Sequence, residues 1–119
     1  MPVRLTQLAA LDLHERLARV DDDSADGSDL RALTKHYLGI LVERAPGNSV
    51  EVRVPPYAAV QCVAGSRHTR GTPPAVVEAD AGTWIALARG RLGWDDARAD
   101  GRVTASGARS DLGDLLPLT

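Results

Sequence analysis

Glu78-Ala79-Asp80, followed by Thr83-Trp84-Ile85-Ala86-Leu87, Gly90-Arg91-Leu92-Gly93-Trp94 and Gly101-Arg102-Val103-Thr104-Ala105-Ser106-Gly107, is the stretch whose reading decides the fold. It closes one strand, builds two short helices and returns as another strand. Asp80 stands where an N-cap belongs, with Thr83 in the first turn behind it. Trp84, Leu87 and Ala88 share one helical face, and Gly90 stops the helix. Asp95 and Asp96 fall in the first turn of the second helix, where the helix dipole favours carboxylates, and Gly101 ends it. From Arg102 to Ser106, Val103 and Ala105 alternate with polar residues, the period of a strand with one buried face.

Upstream, Val50, Val52 and Val54 alternate with Glu51 and Arg53, which again gives one wet face and one buried face. Pro55-Pro56 ends that run. Tyr57 to Ala64 carries apolar residues on both faces, as expected of a more central strand, and the two-residue connection makes the pair antiparallel neighbours. Arg67 to Arg70 is expected to pair briefly before Thr72-Pro73-Pro74 interrupts the ladder, and Ala75 to Ala79 supplies a further strand. The expected fold class is therefore α+β, a sheet of about five strands covered on one face by helices.

A long packing helix precedes the sheet. With Ser28 or Asp29 as N-cap, Leu30, Leu33, Tyr37, Leu38, Ile40, Leu41 and Val42 form a wide apolar face that ends at Pro46-Gly47. Before it, Leu5, Leu8, Ala9, Leu11, Leu13 and Leu17 recur at near-helical spacing from Thr6, a candidate N-cap, to Val20. Asp21-Asp22-Asp23-Ser24-Ala25-Asp26-Gly27 breaks the pattern as a solvated linker. Residues 1–27 thus read as an N-terminal helix and acidic linker, and residues 28–119 as the main domain. At its end, Leu112, Leu115 and Leu116 give Asp111–Leu118 the apolar face of a short helical lid.

Composition narrows the function. The 119 residues suit one core, and 14 basic against 16 acidic residues, with both signs dispersed, leave no basic stripe for nucleic acid. Cys62 is the single cysteine, so a disulfide within the chain and a tetrathiolate metal site are excluded and a reducing compartment suits it. No apolar run reaches the length of about 18 residues that spans a bilayer, and no signal peptide or peroxisomal tripeptide is evident, so the expected location is the cytoplasm. Phe is absent, and Tyr37, Tyr57, Trp84 and Trp94 are the aromatic residues. The core must come mainly from Ala, Val and Leu. Such small side chains are compatible with a cavity, although the Ala, Gly and Arg bias of a high-GC genome is the plainer explanation.

The order of helix, strands, two helices, strand and lid, with the Trp84 to Trp94 stretch, the Gly101–Gly107 return and the run His68-Thr69-Arg70-Gly71-Thr72-Pro73-Pro74, resembles the sterol-carrier-protein superfamily. The stretch from Asn48 to Thr119 is most similar to its small actinobacterial members, the bacterial sterol-carrier orthologues. The resemblance implies a lipid or small-hydrophobe binding module with a largely apolar cavity. It places the walls at Leu38 and Leu41, Val60 and Cys62, Trp84 and Leu87, and Leu115 and Leu116. The polar end falls to Tyr57, His68 or Arg70. An alternative is a non-catalytic accessory or protein-interaction domain, since similar domains form the C-terminal parts of mycothiol-dependent enzymes. There a helical partner domain carries the metal, and the 27 residues before Ser28 are too few to form one.

Catalytic and metal chemistry find little support in the residues. His14, His36 and His68 lie in three segments without helical pairing, so no zinc site and no other cofactor is expected. The aspartate run lacks the terminal Glu of a calcium loop. Gly65 and Gly71 flank no Gly-Lys-Ser or Gly-Lys-Thr, although His68 and Arg70 can offer donors to an anion. Cys62 needs a nearby base to act as a nucleophile and on a strand reads as a small apolar side chain. Ser66, Ser106 and Ser110 sit in no nucleophile elbow. Asp95 and Asp96, adjacent on a helix, point about 100° apart and make no acid/base pair. The expectation is a binding protein and not an enzyme.

Overall fold

The computed structural model describes residues 5–65, 75–107 and 110–119. Along them run α1 (Ala10–Asp21), α2 (Gly27–Arg44), β1 (Val50–Val54), β2 (Ala58–Cys62), β3 (Ala75–Ala79), α3 (Ala81–Arg89), α4 (Trp94–Ala99) and β4 (Val103–Ser106). The strands form one mixed sheet in the order β2-β1-β3-β4. β1 and β2 are an antiparallel hairpin with Val52 opposite Val60. β3 runs parallel to β1, Val77 beside Val52, and β4 returns antiparallel to β3 with Val103 opposite Ala79.

That register decides which face is covered. Because side chains alternate along each strand, it aligns Val50, Val52, Val54, Val60, Cys62, Ala75, Val77, Ala79 and Val103 on one face, and all are buried. Arg53, Ala59, Gln61, Glu78, Thr104 and Ser106 point to the other face and are exposed. α2 lays Leu33, Tyr37, Leu38 and Leu41 into the same core, and α3 adds Trp84, Ile85, Leu87 and Ala88. Each buried leucine contributes about 1.5–3 kcal/mol by leaving water.

Several expectations change. Four strands are found among the described residues, where about five were expected; the segment Arg67–Arg70 lies outside them. β2 stands at the end of the strand order and is not central, because β3 takes the other side of β1. Its apolar look on two faces comes from Ala59, small enough to stay exposed. α1 starts at Ala10 and not at Thr6: the Leu8 amide donates to His36 Nδ1 (2.8 Å), outside any helical pairing, and the N-cap Ala9 is extended. The N-cap of α2 is Asp26. Its carboxylate accepts the Asp29 amide (2.9 Å) while Asp29 accepts the Asp26 amide (3.2 Å), a reciprocal capping box that moves Asp29 inside the helix. Asp80 caps α3 as expected, accepting the Thr83 amide at 2.7 Å.

Asp111–Leu118 forms no helix. The Asp111 carboxylate takes the Gly113 amide (2.7 Å), a local bond that competes with helical pairing, and Pro117 cannot donate to a helix. The segment instead makes a turn at residues 113–115 and is otherwise irregular. Leu112 and Leu118 are fully buried, and the Leu118 amide donates to the Ala88 carbonyl at 2.8 Å.

Several glycines sit at close approaches, Gly47 and Gly90 among them. Gly47, at φ +149°, would bring a Cβ within 2.2 Å of the Val63 carbonyl oxygen; Gly90, the left-handed cap of α3 at φ +77°, would meet Pro117 at 3.1 Å. Gly90→Ala is expected to lower the unfolding free energy by about 1–2 kcal/mol, the cost of a left-handed residue with a side chain. Gly47→Ala is expected to lower it further, because backbone must move. Urea denaturation midpoints check the ranking, and an equal or smaller loss at Gly47 contradicts it.

Candidate functional site

The interior between α2, α3, the covered face of the sheet and the C-terminal segment is the place where the sequence-derived wall residues converge. Leu38 and Leu41 descend from α2, Val60 and Cys62 rise from β2, and Trp84 and Leu87 enter from α3; all six belong to one buried cluster. Leu115, Leu116 and Tyr57 pack against that cluster while partly exposed. The Tyr57 hydroxyl faces the start of α2, 3.7 Å from the position a Cβ on Gly27 would take. His68 and Arg70 lie outside the described residues.

Sequence reasoning missed several of the closing contacts. Leu112 and Leu118, and not Leu115 and Leu116, are the fully buried residues of the last segment. Leu118 was hidden because it follows a proline and belongs to no periodic face. Leu33, Ile85 and Val52 complete the packing, and their positions on the apolar faces of α2, α3 and β1 were the available signal.

Polar groups inside are few. The Trp84 indole donates from Nε1 to the Thr34 carbonyl (3.3 Å), which pins α3 against α2. The Thr34 hydroxyl is buried and has no partner among the described residues. Trp94 Nε1 is likewise buried and unpartnered, in a ring whose Cδ1 lies 3.2 Å from the Cβ position of Gly113. His36 is buried on α2, its ring edge-on to Tyr37 at 4.9 Å between centroids.

Burial sets the ionisation of two side chains in this interior. Burial pushes the Cys62 thiol up to about 11, so it is protonated at neutral pH and holds no thiolate nucleophile. Burial pushes His36 below its ordinary value, and its Nδ1 is committed as an acceptor. Among the described residues, no group of three or more His, Cys, Asp or Glu is placed to hold a metal ion. No helix among them is long and apolar enough to cross a membrane. Asp95 and Asp96 join Asp111 and Asp114 around an open cleft of about 520 Å³ that Trp94 also lines.

A helix-covered mixed sheet with an apolar interior closed by a C-terminal segment is the arrangement expected of a sterol-carrier domain, and the family model described as bacterial SCP ortholog matches residues 26–118. The chain belongs to that family. No curated protein matches the chain. In this bacterial SCP ortholog the match begins at Asp26, the N-cap of α2, so α1 lies ahead of the family's span.

Two outcomes follow from these ionisation states. The folded-state pKa of His36 is lowered from 6.5, so its contribution to stability is complete above pH 6.5 and is lost as pH falls below it. The unfolding free energy of the wild type is expected to drop between pH 7 and 5 more steeply than that of His36→Asn, which keeps an acceptor but does not titrate. Parallel slopes in denaturant titrations contradict the assignment. Cys62 is expected to react with a thiol reagent at pH 8 at the rate of unfolding; immediate labelling of the native protein counts against it.

Proposed function

We propose that this domain is a non-catalytic carrier that takes a lipid or other small hydrophobe into the interior between α2, the sheet and α3, with the C-terminal segment as its closure. Family membership supports the class of ligand. The observation that carries the reading is the nature of the closure: residues 110–119 form no regular element, plug the interior with Leu112 and Leu118, and hold on through the backbone bond from Leu118 to Ala88. A segment held by few directional contacts opens at lower cost than the sheet it covers. The orphaned indole N–H of Trp94 under the Gly113 turn favours opening too, since a buried donor without a partner costs about 1–3 kcal/mol that contact with water recovers. On this reading Leu38, Leu41, Val60, Cys62, Trp84, Leu87, Leu115 and Leu116 are the walls, and Tyr57, His68 or Arg70 meets the polar end of the ligand.

The second reading, a non-catalytic accessory domain that binds a protein, draws on the interior itself. Tyr37, Leu38, Leu41 and Trp84 are at most 2% exposed and fill the space with the protein's own side chains.

Leu118→Ala separates the two readings. It removes one anchor of the closure at a stability cost of about 2–5 kcal/mol, leaving Leu112 in place. With a fluorescent fatty-acid analogue, the wild type is expected to bind saturably, and Leu118→Ala to bind and release the probe several-fold faster with an unchanged circular dichroism spectrum. If the wild type binds no such probe at any chain length, and lipid extraction of protein from its native host yields nothing, the carrier reading fails and the accessory reading takes its place.

A further inference from the structure

The C-terminal end of α3 holds two arginines whose partner is out of character with its own helix. Arg89 places Nη1 2.9 Å from Oδ1 and Nη2 3.1 Å from Oδ2 of Asp21, and Arg91 Nη1 approaches the same Oδ1 at 3.2 Å. Both carboxylate oxygens are therefore bound, one of them twice. This is the fork geometry by which arginine recognises a planar carboxylate. The Arg89 side chain is only 12% exposed, so it is already ordered and partly removed from water. Its charge also acts on the buried Tyr37 phenol of α2.

Asp21 gains nothing locally from its position. It is the last residue of α1, where the helix dipole disfavours a carboxylate. α1 itself buries no residue fully and leaves Leu11 70% exposed. Its other fastening, Arg16 and Arg19 on Asp29, is different in kind, because Asp29 also serves the capping box of α2. The family's span starts at Asp26, so the two arginines belong to it and Asp21 does not.

The geometry points to a carboxylate-binding site formed by Arg89 and Arg91, which Asp21 occupies as an internal pseudo-ligand. Its ligand is a monoanionic carboxylate, borne by a small acid or by the head of an amphiphile, and α1 competes with it. The inference does not depend on the carrier proposal: a clamp at the end of α3 binds a carboxylate whether or not the interior accepts a tail.

Asp21→Asn tests it in the full chain, because it removes the competing charge with little change of shape and leaves the Arg16, Arg19 and Asp29 cluster to hold α1. Asp21→Ala is the second variant, should the asparagine amide still occupy the clamp. The backbone amide resonances of residues 89, 90 and 91, present in every variant, are followed by NMR during titration with acetate and with octanoate, with the Trp84 indole N–H as a check that the core is unchanged. Either Asp21 variant is expected to bind a carboxylate saturably and at least tenfold more tightly than the wild type, and addition of Arg89→Lys is expected to abolish that gain. Equal affinities for acetate and octanoate identify a small acid, and much tighter octanoate identifies an amphiphile; both support the site. If both Asp21 variants titrate like the wild type, or if the Arg89→Lys double variant binds as well as the single one, the arginines are a structural tether and the proposal is overturned.

Discussion

Everything in this fold answers to one constraint: a sheet of four- and five-residue strands with a single apolar face has to be covered from one side. Val50, Val52 and Val54 fix the direction, and the register brings Val60, Cys62, Val77 and Val103 into the same plane. α2 alone cannot shield that area, so α3 must lie beside it on the same face. The bond from Trp84 Nε1 to the Thr34 carbonyl ties the two helices at their contact. It also gives the largest side chain of the core the polar partner that a buried indole requires. The last segment completes the core with Leu112 and Leu118, the latter bonded to the end of α3 at Ala88.

Periodicity made most of this legible. The alternation of valines gave β1 and its covered face, Asp80 and Gly90 bracketed α3, and the Gly101–Gly107 stretch returned to the sheet as β4 beside β3. What stayed hidden depended on partners distant in sequence. The late start of α1 goes with a bond between the Leu8 amide and a histidine 28 residues on. The central place expected for β2 failed because alternation reports which face is buried and not which neighbour a strand has. The last segment carries leucines at helical spacing, yet the short-range bond from Gly113 to Asp111 and the proline at 117 prevail over that pattern. Among the buried residues, those on periodic elements were legible as core, whereas Leu118, on the last segment, carried no local signal.

The N-terminal helix is attached on other terms than the core. Its apolar residues Leu13, Leu17 and Val20 are only partly buried, and its firm contacts are ionic, to Asp29 at one side and to Arg89 and Arg91 at the other. The Arg19 guanidinium above all, then the backbone amide of Asp26 and the charge of Arg16, hold Asp29 well below the usual carboxylate range. Its contribution therefore persists through neutral pH and is lost only as pH falls below about 3.8, the ordinary value. The Asp21 carboxylate is lowered by Arg89 in the same sense, but it is 40% exposed and accordingly more open to screening by salt. The two fastenings thus differ in strength, and the one over the arginines is the weaker.

Strength of attachment is what joins the two ends of the chain. Arg89 closes α3, and the next residue, Gly90, is the left-handed cap against which Pro117 packs. The Leu118 amide bonds the Ala88 carbonyl one residue before Arg89. α1 and the C-terminal segment therefore meet the same final turn of α3 within three consecutive residues, each by contacts weaker than those of the core. Leu87 and Ala88, immediately before this turn, are packed into the interior, so the attachments of both chain ends lie next to the core.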